Sequence, residues 1–332
     1  MSATSSPPLY EILGAHDRVV PYVLAPSPPP TISKPLVEII VNPAAGRKGA
    51  ASRVAEVTAA FAGANVRRVA ETRAPGDEEA LAQIALEAGV STVVAVGGDG
   101  TCSGIGRALS TSGRKCSLAV VPYGTGNDFA KTLGVSGCTP EEIAALVERD
   151  EPTRMDVGRV DGRCFINSCG FGFDASVLEA TKRIRLLRGD AVYVYSALRQ
   201  LFTYRAMSVS VDSSGDAHSD KMLMLTISNG QFLGGAFRIA PNASVVDGQL
   251  DVGLFRDAGL IGRVRIFAAA FRGAHVGLSS VETKRVPGMT LRFPAPPMME
   301  VDGELRMALS ATVKIECVSR ALSVIAAPGY PR

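Results

Sequence analysis

The 332-residue chain contains no tryptophan, and aromatic residues make up only 6% of it. Long apolar runs are missing. None approaches the roughly 18–20 residues that a membrane-spanning helix needs, so no spanning segment is expected. A charge excess is missing as well: 35 basic residues nearly balance 32 acidic ones, for a net charge of +3. Nucleic-acid proteins usually concentrate basic residues on one face, and no such partner is expected. The six cysteines are Cys102, Cys116, Cys138, Cys164, Cys169 and Cys317, with no C-x-x-C pair among them. Spacing this irregular argues against a disulfide framework or a thiolate metal site. The first residues lack the basic and apolar segments of an export signal, so free thiols in a reducing cytosol are the expectation.

What is present is enough apolar sequence, 46% hydrophobic, for cores of about 100–200 residues each, hence two domains. Residues 1–34 read as a flexible, Pro-rich leader; eight of the 20 prolines fall in residues 1–35. From Leu36 onward strands and helices alternate. Leu36–Val41, Asn65–Ala70, Thr92–Val96 and Ser117–Val121 are compact strand-like runs. Between them Val54, Val57 and Phe61, then Leu81, Ile84, Ala85 and Ala88, repeat at helical spacing. Thr139, Pro140 and Glu142 stand in capping-box order at the start of a further helix. This alternation predicts an α/β domain over 35–152 with a parallel sheet covered on both faces.

Beyond residue 153 the pattern changes. Helical periodicity persists near Ser176–Leu187 and Val192–Phe202, but short strand-like runs dominate, among them Met207–Val211, Met222–Ser228, Leu250–Phe255, Met298–Val301, Thr312–Cys317 and Leu322–Ala326. Turn dipeptides Asp161-Gly162, Asp247-Gly248 and Asp302-Gly303 punctuate them. A second, antiparallel β-rich, sandwich-like domain is expected over 153–327.

Three glycine-rich turns lie where strands give way to helices: Asn42-Pro43-Ala44-Ala45-Gly46, Gly97-Gly98-Asp99-Gly100-Thr101 and Gly124-Thr125-Gly126-Asn127-Asp128. In open α/β sheets ligands bind beyond the carboxyl ends of the strands. Glycine lets the backbone approach a bulky anion, and a helix start offers unpaired N–H donors. One such turn could be packing alone; three at one sheet edge point to phosphate binding. Neither G-x-x-x-x-G-K-[ST] nor G-x-G-x-x-G is present, since position 103 is Ser103, which disfavours a P-loop ATPase and a standard dinucleotide fold.

The Gly97–Thr101 turn, together with Pro122-Tyr123-Gly124-Thr125-Gly126-Asn127-Asp128-Phe129-Ala130, resembles the diacylglycerol kinase catalytic-domain family, which includes sphingosine and ceramide kinases. The first turn alone is shared with NAD kinases and phosphofructokinases; the second is the discriminating one. The resemblance runs on through Asn229-Gly230, Gly234-Gly235, Ala240-Pro241, Asp247–Asp251 and Asp302-Gly303-Glu304. It implies an ATP- and magnesium-dependent kinase acting on a lipid hydroxyl, with diacylglycerol the default acceptor. It also implies roles. Asn42, Pro43, Ala44, Ala45, Gly46, Thr72, Gly98, Asp99, Gly100, Thr101, Ser103, Thr125 and Asp128 would form the nucleotide site, with Asp99 arranging the catalytic magnesium. Asp247, Gln249 and Ser244 would hold a structural magnesium. Glu304 would be the general base, with Asp302 beside it expected to raise its pKa. The family pattern commonly carries Asn-Glu shortly after the first turn; here Ser103-Gly104 stand there, so a carboxylate is missing.

A lipid kinase of this kind would be a cytoplasmic, peripherally membrane-associated protein. The basic stretch Thr181–Arg188, with Ile184, Leu186 and Leu187, is the expected contact. Edge strands in the second domain could pair two copies into a homodimer. The alternatives are an NAD kinase, and a catalytically weak nucleotide or lipid sensor.

Overall fold

Alternating strands and helices in the first half build a parallel sheet. In the computed structural model, which describes residues 34–46, 49–181, 190–212 and 217–330, β1 (Leu36–Val41), β2 (Asn65–Glu71), β3 (Thr92–Gly97) and β4 (Ser117–Pro122) are interleaved with α1 (Ala50–Ala60), α2 (Asp77–Glu87) and α3 (Asp99–Thr111). Helices α4 (Asp128–Thr132) and α5 (Pro140–Arg149) follow β4. The four strands pair in parallel in the order β2-β1-β3-β4. β3 is buried along its whole length, as a strand covered on both faces must be. The capping box forms at α5: Thr139 Oγ1 accepts the Glu142 N–H, and Glu142 Oε2 accepts the Thr139 N–H.

The second half comprises β5 (Thr153–Val160), β6 (Arg163–Phe165), β7 (Ser168–Gly172), α6 (Phe173–Thr181), α7 (Asp190–Thr203), β8 (Met207–Asp212), β9 (Ala217–Ser228), β10 (Leu250–Arg256), α8 (Gly259–Ala270), β11 (Val281–Val286), β12 (Gly288–Arg292), β13 (Met298–Val301), β14 (Glu304–Met307) and β15 (Thr312–Val324). Its strands pair antiparallel, with β9 flanked by β7, β8 and β10. The boundary expected at 152/153 falls where the pairing changes from parallel to antiparallel, yet the sheet continues across it. Strand β15 lies antiparallel to β12 and β5, and its end pairs parallel with β4 through Ser323–Ser117 and Val324–Leu118.

Two expectations are corrected. The runs Thr312–Cys317 and Leu322–Ala326 are one strand, interrupted between Val318 and Leu322 by a register shift. Arg320 there has φ 53°, and its N–H donates to Asp156 Oδ1 at 2.8 Å, which holds the bulge. Helix α8 went unread because Gly259 and Gly262 break its pattern and apolar residues surround it on all sides. Asp161-Gly162 and Asp302-Gly303 do form tight two-residue hairpins, with both residues at positive φ (47° and 81°; 48° and 84°), the type I′ geometry that suits strand twist.

Gly158 of β5 sits under the fully buried Phe165 ring; an ideal Cβ there would lie 1.9 Å from the ring. Gly158→Ala is expected to destabilise by about 1–3 kcal/mol, read as a lower urea midpoint with an unchanged slope.

Candidate active site

The registers of the parallel sheet bring four strand ends level. Val41 lies beside both Glu71 and Val96, and Gly97 beside Pro122. Asn42–Gly46, Thr72, Gly98–Thr101 and Thr125–Asp128 therefore emerge along one edge. Side chains then tie the turns together. Asn42 Nδ2 donates to Thr101 Oγ1 at 3.1 Å, and Asn42 Oδ1 accepts the Ala44 N–H at 2.9 Å. The fully buried Arg53 donates to the Asn42 carbonyl at 2.8 Å and lies over the Tyr123 ring at 5.1 Å. Gly46, at φ 68°, passes so close to the Tyr123 carbonyl that an ideal Cβ would lie 2.3 Å from it.

The second and third turns touch backbone to backbone. An ideal Cβ on Gly124 would lie 2.4 Å from the Gly98 Cα, and one on Gly126 3.4 Å from the Gly235 Cα and 2.9 Å from Asp99 Oδ2. With the glycines there, Asp99 Oδ1 accepts the Phe129 N–H at 3.0 Å. Asp128 Oδ2 accepts the Gly235 N–H at 2.9 Å, while Lys131 Nζ bridges Asp128 Oδ1 (3.1 Å) and the Gly235 carbonyl (2.5 Å). Burial, followed by the nearby Asp128 charge, pushes the Asp99 carboxyl up to about 6.

Asp99, Ser103, Thr125 and Asp128 line a cleft of about 330 Å³, whose opposite wall comes from Asn167, Ser168, Asp174, Glu300, Asp302 and Gly235 of the second half. Asp302 is buried and accepts three backbone N–H groups, from Ile166 (2.9 Å), Asn167 (2.9 Å) and Ser168 (3.1 Å). Burial still raises its pKa despite those donors. Glu300 is 2% exposed; burial and the facing Asp174 carboxyl drive its pKa well up.

Glu304 differs from the expectation. It adjoins the cleft-lining Gly303, but its carboxylate is held by Arg107 (3.1 Å), Arg163 (3.2 Å) and Arg306 (2.5 Å). Burial works to raise its pKa, but the three guanidinium groups outweigh burial and hold it below the usual carboxylate range. The shift is therefore opposite in direction to the one expected from Asp302. The carboxylate missing at Gly104 has a neighbour in its place: an ideal Cβ on Gly104 would lie 2.2 Å from Glu78 Cγ and 3.0 Å from Glu78 Oε1, so α2 lays an acidic side chain over that position.

The residues expected to hold structural magnesium fit a cation poorly as they stand. Asp247 Oδ1 accepts the Gln249 N–H at 3.1 Å, and Asp247 Oδ2 faces Arg285 at 3.6 Å; a dication would have to displace the arginine. Ser244 is half-buried in the same loop. Among the described residues no group of three or more His, Cys, Asp or Glu is arranged to hold a metal. Asp99, which has no cation bonded to it among the described residues, suits magnesium better, because this ion commonly takes one or two carboxylates together with phosphate oxygens of the substrate.

Residues 37–160 match the family profile of the diacylglycerol kinase catalytic domain, and residues 167–326 that of the YegS C-terminal NAD kinase beta sandwich-like domain. A YegS-like lipid kinase of Pseudomonas fluorescens is 32% identical over 231 residues, 67% of this chain and 76% of that protein. This chain belongs to the diacylglycerol kinase and YegS-like lipid kinase family. The diacylglycerol kinase of Bacillus subtilis is 25% identical over 268 residues, 80% of this chain and 88% of that one. A crystal structure of a diacylglycerol kinase from Bacillus anthracis shares the fold, with a TM-score of 0.67 at 21% identity, covering 90% of this chain and 98% of that one.

Of the wall that the second half supplies, sequence reasoning reached Asp302 only as a turn residue and neighbour of Glu304, and Gly235 only as part of the family resemblance. It missed Asn167, Ser168, Asp174 and Glu300. A lone acid inside the apolar strand Met298–Val301 was the one available signal, since an unpaired buried carboxylate rarely persists without a purpose.

Because Asp99 sits at about 6 when folded against 3.8 in the unfolded chain, the folded state holds its proton more tightly. Stability therefore falls as pH rises through that interval. Asp99→Asn is expected to melt above the unsubstituted protein near pH 8, with the gap closing as pH is lowered toward about 4. Thermal melts across that range check it.

Proposed function

We propose that this protein transfers the γ-phosphate of ATP to a lipid hydroxyl, with diacylglycerol the reference acceptor and phosphatidic acid its product. The observation that carries this reading is a shared wall. The polar cleft at the glycine turns and an apolar cavity lined by Leu201, Leu223, Phe237, Phe255 and Phe267 have Asp174 and Leu233 in common. An acceptor in the cleft would place a hydroxyl near Asp99 and turn its apolar part toward this cavity, whose free volume of about 50 Å³ takes no more than a short piece of chain. The NAD kinase alternative draws on the name of the C-terminal family profile, but the apolar side chains beside the cleft suit the polar NAD molecule less well than a lipid.

The backbone amides of Asn42–Gly46, Gly98–Thr101 and Thr125–Asp128 would position the phosphates, which is most of what phosphoryl transfer asks of a protein. Magnesium, held by Asp99 directly or through water, would neutralise the charge that develops on the transferred group. Glu304 would accept the acceptor's proton. Its low pKa keeps it ionised, and a loose transition state makes little demand on base strength.

Contact with the bilayer would be peripheral. No helix among the described residues is long and apolar enough to cross a membrane. The basic residues of the stretch expected to make that contact, 182–188, lie outside the described residues. Helices α7 and α8, which wall the apolar cavity from inside, expose Leu198, Phe202, Ile261 and Val264 outward, with Arg199 and Arg265 exposed beside them. Apolar side chains flanked by arginine suit an anionic bilayer surface.

The test is transfer of label from γ-labelled ATP to lipids in mixed micelles, with NAD in a parallel reaction. Label in diacylglycerol or another lipid is the expected result, and label in NAD alone would overturn it. Glu304→Gln is expected to lower kcat by about 10²–10⁴-fold with ATP binding retained. Turnover that survives the substitution would move the proton-accepting role to another carboxylate of the cleft.

A further inference from the structure

Glu304 is held from both halves of the chain, and the two oxygens of its carboxylate are held differently. Oε2 accepts from Arg163 Nη2 of β6 at 3.2 Å and from Arg306 Nη2 of its own strand, β14, at 2.5 Å. Among the described residues, Oε1 accepts only from Arg107 Nη2 of α3, at 3.1 Å. A carboxylate offers about two lone-pair sites on each oxygen. Oε2 is therefore filled, and Oε1 keeps one lone pair for a donor from outside the protein.

Arg107 is the best anchored of the three arginines. It is 4% exposed, whereas the side chains of Arg163 and Arg306 are 29% and 44% exposed. It stands on the helix that opens at Asp99, and Ser103, one turn earlier on the same face, lines the cleft. Gly104 shares that face and leaves it open. There α2 lays Glu78 over Gly104, and the next residue, Glu79, reaches Arg107 Nε at 3.4 Å. A guanidinium buried this deeply needs a counter-ion, and Glu304 is the nearer of its two. Glu304 opens β14 directly after the cleft-lining Gly303. The pair thus ties the helix of Asp99 to the carboxylate expected to act as base.

We propose that Arg107 is a positioning residue for phosphoryl transfer, a buried guanidinium that aims Glu304 so that Oε1 takes the proton of the acceptor hydroxyl. This rests on the lipid-kinase reading with Glu304 as the base. In the step, the O–H bond of the acceptor breaks and its proton goes to Oε1. The acceptor oxygen forms a bond to the γ-phosphorus. The bond from that phosphorus to the β–γ bridging oxygen breaks, and its electron pair leaves with ADP. Oε2, tied by Arg163 and Arg306, takes no part. Arg107 touches no reacting atom and acts through Glu304 alone. Once Oε1 carries the proton, Glu79 remains as the counter-ion of Arg107.

The experiment is a double-mutant cycle on kcat, run with saturating ATP-magnesium and diacylglycerol in mixed micelles. It uses the unsubstituted protein, Arg107→Gln, Glu304→Gln and the double variant, each rate normalised to the ATP-binding capacity of its preparation so that unfolded protein drops out. Arg107→Gln is expected to lower kcat by about 10–10²-fold, the scale of a misplaced catalytic group, with the KM for ATP little changed. On the Glu304→Gln background the same substitution is expected to cost less than about threefold, because no base is left to aim. Arg107→Lys keeps the charge without the planar fork. It is expected to lose less kcat than Arg107→Gln with the same non-additivity, and it carries the cycle if the glutamine variant does not fold. Losses that multiply in the double variant would give Arg107 a role independent of Glu304 and overturn the proposal, as would full kcat in Arg107→Gln. Turnover that survives Glu304→Gln alone would overturn the base reading, and the proposal with it.

Discussion

The site depends on backbone approaching backbone. Gly98 meets Gly124 at a distance that leaves no room for a Cβ at Gly124, while Gly126 lies in ordinary contact with Gly235 and an ideal Cβ on it would crowd Asp99 Oδ2 at 2.9 Å. Only because a side chain is absent at Gly124 can the two turns of the parallel sheet converge. Convergence then fixes the polar contacts: Asp99 reaches the Phe129 N–H, and Asp128 and Lys131 reach Gly235. A single methyl group at Gly124 would push the turns apart and undo several hydrogen bonds at once.

Convergence has an electrostatic consequence. Asp99, Asp128, Asp174, Glu300 and Asp302 face one cleft, and burial raises the pKa of Asp99, Glu300 and Asp302. Packing acids together in a half-dry space destabilises the fold at neutral pH, and such cost concentrates where a protein binds or reacts. Different devices restrain it. Asp302 takes three backbone N–H donors, Asp128 takes Lys131, and Glu304 takes three arginines. Glu300 takes the Gly303 N–H, and burial with the facing Asp174 carboxyl drives its pKa well up.

Much of this was legible in the chain. The three glycine turns announce themselves because each follows a compact apolar strand, and local sequence suffices to place a strand end, a turn and a helix start. The capping box at Thr139 and the type I′ turns at Asp161 and Asp302 are local in the same sense. The environment of Glu304 was not legible. Two of the arginines that hold it, Arg107 and Arg163, lie 197 and 141 residues away along the chain. The near neighbour Asp302, from which a raised pKa was argued, spends its carboxylate on Ile166, Asn167 and Ser168 instead.

The sequence by itself determined the alternation of elements, the change to an antiparallel β-rich half near residue 153, and the edge at which phosphates would sit. Each of these follows from periodicity and from glycine, which act over a few residues. The tertiary structure alone decided which acids face one another, that β15 crosses back to β4, and that an apolar cavity shares Asp174 and Leu233 with the polar cleft. Those features arise from strands and loops remote in the chain that meet only when the sheet closes its order, and pairwise electrostatics and cavity shape depend on distance in space rather than on distance along the sequence.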